Sequence, residues 1–430
     1  MVETHSDYDY NLEYWQQIRT FVCGKKEVQN YLQNVVSGTD AESIQRNKDY
    51  KARAKYVNFT SRTQSALVGA VFSKEAEVKL PTTLEYMLLN ADGAGKSLEQ
   101  IAKVCVSNII QVGRHGLLSS YDVVKKVSKL TTYTAENIIN WTEDESGNLD
   151  SVVLFVKKDV YKHLKLIDGI YTVEIRNEAN ELLEEVVHPT KADGSKFNHI
   201  PFTIIGSEDN SPKVDDAPMW SIVDVSQGHL QNSADYEDML RILQPTPWAN
   251  NIDKQYMQDM YPSGFIPFGS GSMIVLPRDS QAGLIQPAEN QMISQAMRHK
   301  EELLIMLGAR LISNAGQAET AEAVRIKYSA DSSVILNLVG NVSRAIEQGL
   351  EWCAEFMSAN KDEVIYILNR QLFDMKMSPQ DISAQILLLD RGLLAKQDVR
   401  RNLRNSDVVA QDRLDEDIDS EIEDSGGGLI

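Results

Sequence analysis

Cysteine is scarce in this chain: Cys23, Cys105 and Cys353 stand far apart with no paired spacing. That excludes a disulfide framework and a cysteine-based zinc site, and all three are expected to be reduced core residues. No run of eighteen apolar residues occurs, and the N-terminus has no secretory apolar segment, so a soluble, non-exported chain without a membrane span is expected. The seven histidines, His5, His115, His163, His188, His199, His229 and His299, never fall into a ligand pair such as HxxxH. No Gly-x-Ser-x-Gly elbow appears either, so the expectation is no enzyme, no catalytic residue, no metal and no cofactor. Positive charge is also in deficit: the net charge is −19, and Asp412–Asp424 alone carries eight acids against Arg413. The body stays acidic without that tail, which argues against a surface that grips phosphates tightly. No repeat at a period of 20 to 50 residues is visible.

What is present is ordinary globular composition, 42% hydrophobic and 24% charged over 430 residues, enough for two or three domains. The patterning predicts an α+β fold that is mainly helical. Residues 1–70 read as helices with Trp15, Ile18, Val22, Val28, Leu32 and Val35 on apolar faces. Residues 47–72 are locally basic, with Lys48, Lys51, Arg53, Lys55 and Arg62 among Tyr50, Tyr56 and Phe59. Such a stretch could be a nucleic-acid surface, but within an acidic chain a solvated helix face or a subunit contact is favoured.

Gly95-Lys96-Ser97 invites a nucleotide-binding reading. A phosphate loop needs a glycine five positions before Gly95 and a buried strand leading in, yet Asn90 occupies that position and Thr83–Leu89 reads as helix. Asp92-Gly93-Ala94-Gly95 is instead a turn, and Ser97 caps a helix from Leu98 with Gln100 at the capping-box position. That helix is expected to stop at Gly113-Arg114-His115-Gly116. A β-meander follows, with strands expected at Tyr133–Trp141, Ser151–Lys157, Ile170–Arg176 and Leu182–Val187, and with His199–Gly206 closing it.

After a proline-bounded linker, Met219–Leu243 reads as one helix. Residues 244–287 hold six of the twelve prolines, together with Trp248, Tyr256, Tyr261, Phe265 and Phe268, and read as a loop-and-strand insert. Ala288–Leu307 and Glu319–Ser358 are amphipathic helices joined by a polar loop. Asp362–Met377 reads as a strand or helix edge. Short helices are expected from Ser378 to Gly392 and from Lys396 to Asn405.

Several stretches in this order resemble a family of tailed-phage portal proteins (head-to-tail connectors), of the group long filed as a domain of unknown function. They are Tyr56-Val-Asn-Phe-Thr60, Asp92-Gly93 with Gly95, Gly113-Arg114-His115-Gly116, Ile139-Asn140-Trp141, His199-Ile-Pro-Phe202, Gln231-Asn-Ser-Ala-Asp-Tyr236, Leu307-Gly-Ala-Arg-Leu-Ile312 and Glu319-Thr-Ala-Glu-Ala-Val-Arg-Ile326. The resemblance runs from about residue 45 to about residue 405. It implies a homo-oligomeric ring, usually of twelve subunits, at one capsid vertex, assembled in the host cytoplasm and carried in the virion. Double-stranded DNA would pass through the ring, which would dock the terminase large subunit and then head-to-tail adaptor and tail proteins. Major capsid and scaffolding proteins would be further partners.

By the same resemblance, residues 1–217 would be a wing, 218–243 and 288–308 two stem helices, and 244–287 the clip. Residues 309–318 would be a tunnel loop, 319–405 a long helix with C-terminal wing or crown helices, and 406–430 a flexible acidic tail. Arg310, Ser313, Asn314, Gly316 and Gln317 would line the channel, and Arg298, Lys300 and Glu301 would mark the stem. Trp248, Tyr261, Phe265 and Phe268 would pack between clips, although an intrachain core is an alternative for them. Ser119-Ser120 and the short C-terminus depart from the pattern. A nucleotide-binding packaging enzyme built on Gly95-Lys96-Ser97 and a non-ring scaffold are the competing readings.

Overall fold

The computed structural model describes every residue except 1, 25, 243–245, 263–274, 286–290, 313–320, 371–378, 406–408, 410–412, 414 and 425–430. The fold is α+β and mainly helical. It begins with α1 (Ser6–Cys23), whose apolar spacing buries Trp15, Ile18 and Phe21. The His5 imidazole caps it by accepting the Asp7 N–H, and Gly24 ends it in the left-handed conformation at φ 66°. Only glycine fits there, because a Cβ would also lie 2.1 Å from Asn58 Nδ2. Then come α2 (Ala41–Arg53), capped by Asp40, and α3 (Phe59–Val71), capped by Asn58.

A short strand, β1 (Glu77–Lys79), leads through a 3-10 turn over Thr82–Leu88 to α4 (Leu98–Val112). Ser97 and Gln100 form the expected capping box on α4. Gly113 ends it at φ 72°, pressed so close to the next segment that a Cβ would lie 2.6 Å from the Asp216 carbonyl.

Seven strands lie between residues 114 and 206. Strand β2 (Arg114–Asp122) pairs with β3 (Val127–Thr134) as a hairpin. The meander is β4 (Ile138–Glu143), β5 (Leu149–Lys157), β6 (Val160–Ile167) and β7 (Ile170–Arg176), in that spatial order. Strand β8 (Phe202–Gly206) pairs antiparallel with β2 in a separate three-stranded sheet, order β3-β2-β8.

The chain continues into α5 (Trp220–Ile242), then β9 (Thr246–Ala249), α6 (Lys254–Met260) and β10 (Ala282–Ile285), with β9 and β10 paired antiparallel. Next are α7 (Met292–Ile312) and α8 (Ala321–Phe356), whose 36 residues span about 54 Å. The end of the chain holds β11 (Ile365–Ile367), which pairs with β1, followed by α9 (Pro379–Asp390), α10 (Lys396–Asn405) and α11 (Asp415–Asp424).

One core runs from α1 through α4 to both sheets and α8. Helix α8 lies on the β3-β2-β8 sheet, where Ser119 Oγ donates to the Gly349 carbonyl at 2.8 Å. Gly349 permits that approach, since a Cβ would be 3.1 Å from Leu130 Cδ2. Ser119, a departure from the family pattern, therefore has a packing role.

The structure corrects several expectations. Helix α4 stops at Gly113 as expected, but Arg114, His115 and Gly116 already belong to a strand, and the hairpin β2–β3 was not among the expected strands; β2 is buried on both faces from Arg114 to Ser119, so it shows no polar alternation. Tyr133–Trp141 is broken by a 3-10 turn at Ala135–Asn137. Leu182–Val187 forms only isolated bridges to β7, and β8 closes the other sheet, not the meander. Cys105 and Cys353 are buried as expected, whereas Cys23 is exposed. Within the tail expected to be flexible, Asp415–Asp424 is helical and its Asp419 pairs with Arg400.

Candidate functional site

The stem assignment falls on α5 and α7, which pack side by side. Their contact is polar as well as apolar. The buried His229 Nε2 lies 3.1 Å from Glu301 Oε1, and Lys300 Nζ donates to Asn232 Oδ1 at 2.5 Å. Gly228 makes room for Lys300, because a Cβ there would lie 2.9 Å from Lys300 Cε. Around this clasp the helices close through Leu230, Ala234 and Leu304, all buried.

The N-terminal helices brace α5 from outside. Arg46 donates both Nη1 and Nη2 to Asp238, at 2.9 and 2.5 Å, and Arg53 Nη1 reaches Asp238 Oδ1 at 2.7 Å. Arg46 holds the Asp238 carboxyl below the usual carboxylate range against the opposing pull of partial burial. One turn earlier, Tyr50 OH donates to Asp235 Oδ1 at 2.5 Å and accepts from Gln231 Nε2 at 2.6 Å. Burial and the adjacent carboxylate raise that phenol's pKa. The Lys55 amide donates to Ser233 Oγ, and Gln17 Nε2 to Gln227 Oε1. Helix α3 reaches α7, where Gly308 sits against Thr63.

This bracing is what the sequence reading missed. The basic stretch is not a free solvated face throughout: Tyr50 and Arg53 fasten α2 to α5 within the chain. The sequence places Arg46 and Arg53 two turns apart on one face of α2, but nothing local pairs that face with Asp238.

A groove of about 550 Å³ opens between Tyr31, α5 and α7, with His299 and Lys300 on its wall. Of the proposed stem residues, Lys300 and Glu301 join α7 to α5, whereas Arg298 is exposed. Arg310 lies in α7, which runs through Ile312, so residues 309–312 are helix and not loop. Ser313, Asn314, Gly316 and Gln317 lie outside the described residues.

In the insert, the Trp248 indole covers Gly283, where a Cβ would be 2.9 Å from Nε1, yet Trp248 remains 40% exposed. Tyr261 OH accepts the Val275 N–H at 3.2 Å, tying the insert together. Phe265 and Phe268 lie outside the described residues.

The Gly95-Lys96-Ser97 loop is closed on itself. Asp92 Oδ1 accepts the Ala94 and Lys96 amides at 2.7 and 3.0 Å, and Asn90 Oδ1 accepts the Gly95 amide at 2.8 Å. The donors that would cradle a phosphate are already engaged, and the preceding element is a 3-10 turn rather than a strand. Among the described residues, no group of three His, Cys, Asp or Glu side chains is arranged to hold a metal ion, and no helix is long and apolar enough to cross a membrane.

No curated protein matches the chain. Among solved structures, a chain of the virion of the native gene transfer agent (GTA) particle is similar at 14% identity and TM-score 0.48, over 80% of this chain and 89% of that one. A chain in the neck of the empty GTA particle, computed with C6 symmetry, is similar at 13% identity and TM-score 0.46, over 81% and 90%. One in the neck of the native particle, computed with C12 symmetry, gives 13% and 0.45, over 80% and 89%. Residues 218–357, which span α5, the insert, α7 and α8, match the family described as Domain of unknown function (DUF4055).

Proposed function

We propose that this chain is the subunit of a portal, a ring at one capsid vertex of a tailed phage or phage-like particle. Double-stranded DNA would pass through its centre during packaging and ejection. In this reading α5 and α7 are the stem, residues 244–287 the clip, residues 313–318 the tunnel loop, and α8 the helix that crosses the wing. The wing is the remainder of residues 1–217 with the C-terminal helices. The ring is homo-oligomeric, with twelve subunits the expected number. It receives the terminase large subunit, later adaptor and tail proteins, and sits among major capsid and scaffolding proteins.

The observation that carries this reading is the asymmetry of the helix pair. Its inner contact is filled by the His229–Glu301 and Lys300–Asn232 clasp. Elsewhere the pair leaves Leu240 on α5 and Ile305 and Met306 on α7 at 44%, 61% and 43% exposure. Apolar side chains on an otherwise satisfied hairpin are what a neighbouring copy would cover. The acidic balance suits a conduit, because a moving polyanion is slowed by every phosphate that the wall neutralises. By this proposal Ser313, Asn314, Gly316 and Gln317 would give such a wall an uncharged stretch, with Arg310 and Arg298 as cations near it.

Negative-stain images of the purified full-length protein test the proposal. Rings with a central hole are expected. A field of single compact particles at every concentration would overturn it.

A further inference from the structure

Two neighbouring loops form a surface whose chemistry differs from that of the rest of the chain. At the tip of the β2–β3 hairpin, Val123 and Val124 stand 77% and 93% exposed, followed by Lys125 and Lys126. In the loop before α4, Leu88 and Leu89 are 44% and 80% exposed, followed by Lys96. The loops are fastened together. Lys125 Nζ donates to the Gly93 carbonyl at 2.7 Å, the Leu130 amide to the Ala91 carbonyl at 2.8 Å, and Tyr86 OH to the Ser128 carbonyl at 2.7 Å. Between them lies a cavity of about 350 Å³, whose wall includes Lys96, Lys129, Thr131 and Thr132.

Two of the acids here are engaged by their own loops, while Glu85 in the turn before Leu88 is exposed. Asp92 Oδ1 accepts two amides of its own loop, and Asp122 Oδ1 accepts the Val124 and Lys125 amides at 3.0 Å. Lys96 and Lys126 stand exposed, while Lys125 Nζ is held by the Gly93 carbonyl and Lys129 Nζ lies 3.8 Å from Asp122 Oδ2, on a chain with a net charge of −19.

We propose that this surface docks an acidic segment of another protein. Its carboxylates would meet Lys96 and Lys126, and its apolar side chains would cover Leu89, Val123 and Val124. Exposed aliphatic residues with a cationic rim are the composition of a peptide-binding face. Nucleic acid is disfavoured, since these loops expose no arginine and no aromatic ring on which a base could stack. The surface lies away from the α5–α7 pair, and its occupation does not depend on the portal reading.

The test uses full-length protein and a labelled peptide of residues 412–424, which intersperses acids with Ile418 and Ile422. Saturable binding is expected that weakens with added salt. It should fall at least about tenfold in Lys96→Glu/Lys126→Glu and in Val123→Ser/Val124→Ser. A peptide with Ile418 and Ile422 changed to Ser should bind more weakly than the parent. All four substituted side chains are exposed, so unchanged melting temperatures should accompany the loss. No saturable binding, equal binding by the wild type and both variants, or a loss confined to duplex DNA binding would overturn the proposal.

Discussion

Gly228 on α5 and Lys300 on α7 meet so closely that a single methyl group at position 228 would lie 2.9 Å from Lys300 Cε, while Lys300 Nζ holds Asn232 at 2.5 Å. The atom in the way belongs to a flexible side chain, so Gly228→Ala should stay within about 1 kcal/mol of wild type, helped by alanine's helix propensity. Gly228→Val should displace Lys300 and destabilise by about 1–3 kcal/mol. Urea melts of the two variants check this; equal midpoints would mean that the clasp does not limit the approach of α5 and α7.

Asp238→Asn should loosen α2 from α5. It leaves Arg46 and Arg53 without their carboxylate, and the expected loss is about 1–2 kcal/mol, held down because both arginines are partly solvated. The pH dependence follows from the lowered Asp238 pKa. Its contribution is complete above the unfolded pKa, about 3.9, and is lost as pH falls through the lower folded value. The stability gap between wild type and variant should therefore be full at neutral pH and close in strong acid.

His115 supplies the opposite test. It is buried with neither ring nitrogen hydrogen-bonded, and burial, assisted by Arg19, lowers its pKa to about 3. The unfolded imidazole takes up its proton near pH 6.5, so stability should fall with decreasing pH between there and about 3, by about 1.4 kcal/mol per unit. His115→Leu should flatten that slope when melts are compared at pH 7 and pH 5. An unchanged slope would mean that this imidazole is not held neutral.

Lys96→Ala separates the channel reading from a nucleotide-using enzyme. With the Gly95 and Lys96 amides engaged by Asn90 and Asp92, titration with ATP and magnesium should give no saturable signal in wild type or variant. Binding that the substitution abolishes would favour the enzyme.

The elements legible in the sequence were those with a strong period or a definite cap. The Ser97–Gln100 box, α5, α10 and the long α8 all follow from local chemistry. The hairpin β2–β3 was hidden because Arg114, His115 and Ser119 are buried polar residues in a strand enclosed on both faces, where alternation gives no signal. Pairing of β8 with β2, across more than eighty residues, is a tertiary choice that no local pattern encodes. In the candidate site, Lys300 and Glu301 are placed on the stem by the resemblance, but their clasp onto α5 is a tertiary contact that no local pattern encodes. The Asp238 bracket needed two helices almost two hundred residues apart to be seen as neighbours.

The most direct test of the central claim is the mass of the purified full-length protein in solution, measured across a concentration series. Twelve copies of a 48.2 kDa chain predict a discrete particle of about 580 kDa. A species that stays near 48 kDa at every concentration would contradict the ring.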